Sequence, residues 1–386
     1  MFDPVALKNL KERIRERTSA DIGLLEEIRA EARLLRGEVR TIRPRSTTAV
    51  SLVASDGGNN SFVFDPFQVQ LVRVVDSYGK ELFVDVISPT TDTDELSRAQ
   101  FDQHGHPRTS LGQMMHDLGV KTLAELSPMI PEGREIREHP ERVKPGWVLV
   151  YRDLCEWAVL YDRICHERFA TDTLIVRDGL LRSKIFAKEL FIQWRLKIEE
   201  AIERIFREDR RRVYLVGLAK HSKVLDRYNL GLALENIFPS GDPLYVAVPR
   251  EMERRVFRWQ EWARGEESEA EGGEAPKFVA GSMFFVRFGS RNGDPIWPVD
   301  IFTPQVPQAS EIFGYLLADA RDGFPIPHYP RCLQQAHEHA EIVDFDLAIF
   351  QDHIYEAVRS FLPEDKREIV DALRLVKDVS AERYRR

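Results

Sequence analysis

Two aspartates in this chain stand where a run of strand-prone residues meets a glycine. One run is Val50-Ser51-Leu52-Val53-Ala54-Ser55-Asp56-Gly57-Gly58; the other is Thr173-Leu174-Ile175-Val176-Arg177-Asp178-Gly179. A carboxylate at the end of a buried strand is held rigidly at a sheet edge and loses most of its water, and a cation is the commonest compensation. A hairpin-forming aspartate is the competing reading for each, because Asp-Gly is a strong turn signal. Two such carboxylates far apart in the chain, in this order, favour one shared metal site and therefore an enzyme.

The elements that must position them follow from the hydrophobic periods. Residues 4–36 repeat Leu7, Leu10, Ile14, Ile22, Leu25, Ile28, Ala32 and Leu35 at helical spacing among charges. From residue 48 the period changes to that of strands. Residues 49–55, 68–76 and 81–88 are rich in Val, Leu and Phe, with Gly57-Gly58-Asn59-Asn60 and Ser77-Tyr78-Gly79-Lys80 as expected turns, so three antiparallel strands are predicted. A polar region follows, in which His104-Gly105-His106 reads as a surface turn. A helix over 151–169, the Asp178 strand, a helix over 183–207 and the buried strand Val213-Tyr214-Leu215-Val216-Gly217-Leu218 alternate as in a mixed α/β sheet. Strands near 279–288 and 296–302 and further helices complete the chain. Residues 264–276 form an acidic, low-complexity insertion, expected as a mobile loop.

With 386 residues the chain can bury a large core, in one large domain with insertions or in two or three domains. Its 43% hydrophobic and 31% charged residues are ordinary for a globular protein. No apolar stretch reaches the length of a membrane span, and the first residues lack the apolar core of a signal peptide. Cys155, Cys165 and Cys332 have no zinc-like spacing, so buried reduced thiols in a cytoplasmic protein are expected. The net charge of −8 does not announce a nucleic-acid binder, but the basic clusters at residues 11–17, 36–45 and 210–212 leave room for a local phosphate patch.

A three-strand meander carrying Asp56 on its first strand, followed by helix, strand and helix, is the layout of the ribonuclease-H-like fold. There the first strand and a central neighbour each present an Asp, and a Glu joins them from a nearby helix. Bridging carboxylates of this kind hold two divalent ions, and hard oxygen ligands select Mg2+ or Mn2+ over zinc.

Four blocks then resemble, in order, those of the NurA-type nucleases: Ser55-Asp56-Gly57-Gly58; Ile175-Val176-Arg177-Asp178-Gly179-Leu180-Leu181; Val216-Gly217-Leu218-Ala219-Lys220-His221-Ser222; and His328-Tyr329-Pro330-Arg331-Cys332-Leu333-Gln334-Gln335-Ala336-His337. The resemblance runs from about Thr48 to Glu341. The first block has Asp-Gly-Gly where Asp-Gly-Ser is usual in the family, and the acidic insertion is additional.

The resemblance implies roles residue by residue. Asp56 and Asp178 match the metal-binding aspartates, and Tyr329 and His337 match a Tyr and a His that ligate metal or handle the scissile phosphate. Lys220 matches a basic position that contacts phosphate. Apart from the resemblance, Lys223 and Arg182 are candidate phosphate contacts, with ordinary surface charges as the favoured reading. Glu156 is the chosen third carboxylate, with Glu167 and then Asp153 as competitors. For His337 the competing reading is a surface histidine on a polar helix; for Tyr329, a packed loop tyrosine.

The expected protein is therefore an α/β, ribonuclease-H-like nuclease domain over residues 46–345, with a helical extension over 1–45 and a helical segment over 346–386. The resemblance further implies one or two Mn2+ or Mg2+ ions at Asp56, Glu156, Asp178 and His337. It implies 5′-to-3′ exonuclease and single-strand endonuclease activity, a homodimer, and a HerA-type hexameric ATPase as partner, in end processing or anti-phage defence. The alternatives are a Piwi-like guide-dependent nuclease, against which no guide-binding domain is visible, and a non-catalytic adaptor or clamp.

Overall fold

Every residue of Val213–Leu218 is buried, and five of the seven in Asp172–Asp178 are too. Such continuous burial marks parallel strands covered on both faces. In the structure, a computed structural model, these two strands are the middle of a nine-stranded mixed sheet. The described residues are 3–45, 50–64, 67–257, 278–341, 344–364 and 366–367, of which 4–5, 50–64, 67–68, 257 and 344–348 are described through their backbone alone.

Helices α1 (Pro4–Ala20) and α2 (Ile22–Leu34) come first, then strands β1 (Arg40–Thr41), β2 (Val50–Phe64), β3 (Phe67–Asp76) and β4 (Glu81–Ile87). Four short helices, α3 (Thr93–Ala99), α4 (Ser110–Asp117), α5 (Leu123–Leu126) and α6 (Gly133–Glu138), lead to α7 (Trp147–His166). Strand β5 (Asp172–Asp178), α8 (Leu190–Asp209), β6 (Val213–Leu218), α9 (Lys223–Leu234), β7 (Leu244–Ala247) and α10 (Arg250–Phe257) follow. Beyond residue 278 come β8 (Gly281–Arg287), β9 (Trp297–Phe302), α11 (Ala309–Arg321), α12 (Arg331–Ala340) and α13 (Asp344–Phe361). The strand order is β1-β7-β8-β9-β6-β5-β2-β3-β4, with β2, β5 and β6 mutually parallel and the remaining pairs antiparallel.

Alternation along the central strands divides the core. Ile175, Val213 and Leu215 pack with α7 and α8, where Trp157 stands edge-on to Phe191 and Trp194 at 5.3 and 5.0 Å. Leu174, Val176, Val216 and Leu218 pack on the other face with α11, α12 and Tyr329. A third cluster joins Ala32 and Leu35 of the N-terminal segment to α9, β7 and β8.

The predicted meander is present as β2, β3 and β4, and its second turn falls at Ser77–Lys80, where Gly79 has a φ of +77° and Asp76 accepts the backbone N–H of Tyr78 and Lys80. The first expected turn is corrected. β2 does not end at Asp56-Gly57: Gly57, Gly58, Asn59 and Asn60 pair with Val74, Arg73, Val72 and Leu71 of β3. A long apolar β3 offers these residues a complete ladder, which outweighs the weak strand preference of Gly and Asn. The short β7 was not anticipated, and α8 starts later than residue 183 because Lys188, at a φ of +48°, precedes it. The acidic insertion at 264–276 and residues 48–49 lie outside the described residues.

Candidate functional site

Asp178 closes β5 and Gly179 turns the chain away. Its φ of +113° is open to glycine at little cost and to other residues only with strain. Gly179 donates its N–H to Leu218 O at 2.8 Å, so the turn folds back over the end of β6. That approach needs Gly217: a Cβ there would stand 2.4 Å from Gly179 O. Two glycines on adjacent strands therefore fix where the Asp178 carboxylate sits.

Among the described contacts, Lys220 and Tyr329 reach that carboxylate. Lys220, just past the end of β6, places Nζ 3.3 Å from Oδ2. Tyr329 donates its hydroxyl to Oδ1 at 3.4 Å. Tyr329 is fully buried, its ring edge-on to Trp297 at 4.8 Å between centroids, and Trp297 in turn donates Nε1–H to His328 O at 2.7 Å. Gln334 on α12 donates to Tyr329 O at 2.9 Å. The lysine ammonium lies 5.7 Å from the centre of the Tyr329 ring, within cation–π range. Tyr329 is thus held at its ring, its carbonyl and its hydroxyl, and the loop-tyrosine alternative is half right: it is packed, and it is also aimed at Asp178.

Asp56 enters by register. The last parallel pair between β2 and β5 is Ser55 with Arg177, so Asp56 and Asp178 follow at neighbouring positions on adjacent strands, while Asp56 also pairs with Val75 of β3. Parallel neighbours stand about 4.8 Å apart.

Glu156 comes from α7, on the opposite face from Tyr329. Arg177, the residue before Asp178, is buried, and its Nη2 reaches Asp153 Oδ1 at 3.0 Å and Glu156 Oε2 at 3.3 Å. Arg152 lies 3.5 Å from the other oxygen of Glu156. The Arg177 guanidinium also lies 4.3 Å from the Trp157 ring centre and donates to Asp178 O and Leu180 O, both at 3.3 Å. Arg177 was missed by the sequence reading, although a signal was present. An arginine inside a buried strand must find acceptors, and the helix before that strand carries two carboxylates one turn apart. Glu167 stands instead at the far end of α7, 11 residues and about 16 Å along the axis from Glu156, with Arg163 at 3.8 Å.

His337 is exposed on α12, a helix that packs across β2, β3 and β5 and is tied to β3 by Arg73 Nη1 donating to His339 O at 3.0 Å. Lys223 is exposed at the start of α9, next to Ser222, whose hydroxyl caps the helix by accepting Val224 N–H at 3.2 Å. Arg182 is no phosphate contact: it is buried, grips both oxygens of the fully buried Asp300 at 2.8 Å, and bonds Glu253, which Arg250 also approaches at 3.3 Å. Burial pushes the Glu253 carboxyl up even against these two arginines. A charge this deep in the core is spent on compensating other charges. His104 and His106 sit in the expected surface turn, their backbone N–H groups both donating to Asp102 at 2.8 Å. The three cysteines are buried and unpaired, and burial raises their thiols.

Among the described residues no group of three or more His, Cys, Asp or Glu side chains could hold a metal ion. The described residues likewise contain no helix long and apolar enough to cross a membrane.

No family model and no curated protein matches this chain. Solved structures do resemble it over most of its length. The NurA nuclease from Sulfolobus solfataricus is 13% identical, with 92% of this chain and 98% of that one covered at a TM-score of 0.40. A NurA with manganese is 13% identical over 92% of this chain and 100% of that one at 0.38, and a NurA bound to dAMP and manganese is 13% identical over 93% and 99%, also at 0.38. The chain thus resembles NurA structures over more than nine-tenths of its length but only loosely in superposition.

Proposed function

We propose that this protein is a metal-dependent deoxyribonuclease whose site is centred on Asp178. The observation that carries the reading is the carboxylate at the end of β5, approached by Lys220 and Tyr329 and placed beside Asp56 by strand register. Asp178 suits a hard divalent cation: it is only 17% exposed yet accessible, it offers carboxylate oxygens, and Asp56 follows at the neighbouring strand position, although the described side chains alone do not form a complete ligand group. Asp178 and Asp56 would hold the ion or ions, Mn2+ or Mg2+, with His337 as a further ligand and Glu156 joining only on release from Arg177 and Arg152. When bound, such an ion supplies Lewis acidity at the phosphodiester and charge to offset the departing oxygen. Lys220 binds and orients the phosphate, and Tyr329 fixes the Asp178 oxygen to which it donates. Arg177 holds α7 and Glu156 against the strand end.

The finer parts of the reading are 5′-to-3′ exonuclease and single-strand endonuclease activity, a homodimer working in the cytoplasm, and a HerA-type hexameric ATPase that delivers DNA. Residues 46–345 carry the nuclease; of the N-terminal extension, α2 is docked on α9 through Ala32 and the following Leu35, which leaves α1 as the part that would engage a partner.

The test is cleavage of end-labelled single- and double-stranded DNA with Mn2+, Mg2+ or EDTA, comparing the wild type with Asp56→Ala and Asp178→Asn. Metal-dependent degradation lost in both variants supports the reading. Cleavage that survives both substitutions sinks it. A wild type that binds a hexameric ATPase but cuts nothing, with or without it, points to the adaptor instead.

A further inference from the structure

Arg177 is paired with more carboxylate than its single charge needs. Its Nη2 bonds Asp153 at 3.0 Å and Glu156 at 3.3 Å, two acids three residues apart on one face of α7. The rest of its surroundings keep the guanidinium where it is. Its side chain is only 10% exposed and lies 4.3 Å from the centre of the Trp157 ring. Nη1 donates to the carbonyls of Asp178 and Leu180, both at 3.3 Å, and sits so close over Gly179 that a Cβ there would collide with it. Arg177 is thus wedged between α7 and the turn that seats the Asp178 carboxylate.

The two acids are not equivalent. One guanidinium alone separates Glu156 from the backbone of Asp178: Nη2 bonds the first and Nη1 the carbonyl of the second. The other oxygen of Glu156 is approached by Arg152 at 3.5 Å, and Arg152 is a third exposed, so water can solvate it when Glu156 turns away. Arg177 has no such recourse. Were Glu156 its only acid, the departure of Glu156 toward a cation would strand a buried charge, which is the costly way to break an ion pair. Asp153, the nearer of the two acids, already neutralises that charge.

We infer that Asp153 is a positioning residue: a resident counter-ion that keeps Arg177 neutralised while Glu156 turns from Arg177 to a cation at Asp178 and Asp56. The inference rests on the metal-dependent reading of the site, but ion binding can be measured without cleavage. It gives three neighbouring charges separate tasks. Arg177 stays and pins α7 to the turn after Asp178, Asp153 stays with it, and Glu156 moves. Affinity for the ion is then set in part by a carboxylate that never touches it, as outer partners of metal ligands do.

The experiment is calorimetric titration of Mn2+ into the full chain, freed of metal, over a double-mutant cycle of Asp153→Asn and Arg177→Met. Asp153→Asn alone should lower Mn2+ affinity by about tenfold or more, because Glu156 is then held by a guanidinium with no other acid. Asp153→Glu should restore the affinity. On the Arg177→Met background, Asp153→Asn should change it by less than about twofold, since no guanidinium remains to be neutralised. Circular dichroism in EDTA checks the fold of each variant. Should Arg177→Met fail to fold, Glu156→Gln takes its place in the cycle: with the mobile acid already gone, Asp153→Asn should again cost less than about twofold. A folded Asp153→Asn protein that binds Mn2+ as tightly as the wild type would overturn the inference. So would an equal loss on both backgrounds, which is the result for a carboxylate that acts on the ion through its own field or through the fold. A wild type that binds no Mn2+ would instead remove the metal-dependent reading, and the inference with it.

Discussion

Tyr329 and Asp178, 151 residues apart in sequence, meet through a hydroxyl-to-carboxylate hydrogen bond of 3.4 Å between a fully buried ring and a strand end. The ring is held by Trp297 and the backbone by Gln334, so the hydroxyl can be removed without disturbing the packing. Tyr329→Phe should therefore fold normally and lower metal-dependent cleavage by about ten- to a hundredfold, as loss of an outer partner of a metal-holding carboxylate does. Activity assays alongside thermal melts check this. A fall in melting temperature that accounts for the lost activity would make the role merely structural.

Lys220 is argued to bind phosphate. Lys220→Met should weaken single-stranded DNA binding in EDTA and reduce the slope of log affinity against log salt by about 0.7, the value for one contact on a single strand. Lys223→Met, at an exposed position with no reach to Asp178 among the described contacts, should change the slope less. Anisotropy titrations over a range of salt concentrations distinguish the two. An unchanged slope for Lys220→Met removes it from the phosphate path.

Arg182 and Asp300 form a buried pair, with Asp300 also accepting Leu181 N–H at 3.1 Å. Asp300→Ala would leave a buried guanidinium with Glu253 alone and should cost about 3–5 kcal/mol of stability. Urea denaturation followed by circular dichroism measures it. A loss below about 1 kcal/mol would mean that water or Glu253 compensates the charge more fully than the geometry indicates.

Acid stability should report on Asp117, at the end of α4. Burial works to raise its carboxyl, but hydrogen bonds from His166 at 2.8 Å, His116 at 3.2 Å and Tyr161 at 3.0 Å outweigh this and hold it below the ordinary carboxylate range. A depressed folded-state value means that the stabilisation is complete above the unfolded value of about 3.9 and is lost as pH falls through the folded one. Asp117→Asn should lower stability at neutral pH and flatten the decline below about pH 4. Parallel acid-unfolding curves for the two proteins would contradict the assignment.

How far the sequence could be read depends on the range of the interactions involved. Asp178 was legible because its cause is local: an apolar strand, then a glycine with positive φ. The buried β6 and the lysine after it were legible for the same reason. At Asp56 the same Asp-Gly signal misled, since whether Gly57 turns or continues is decided by β3, a partner that no local rule contains. Arg182 was misread because its acceptors, Asp300 and Glu253, lie 118 and 71 residues away. Trp297, which seats Tyr329, gave no sign at all: its neighbours are set by the crossing of β9 with the segment before α12. Arg177 is the instructive case, since burial of a charge can be foreseen from its strand even when its partners cannot.

The contact between Gly217 and Gly179 has a further consequence. Neither residue bears a functional group, yet the path of the chain after Asp178 depends on a Cβ being absent from the neighbouring strand. The exact seat of the carboxylate is therefore written in volume and not in charge. Homologous chains could exchange Lys220 for another cation and keep the architecture of the site. Even alanine at position 217 would have to prise two strands' ends apart, so the least reactive residue of the neighbourhood is also among its least replaceable.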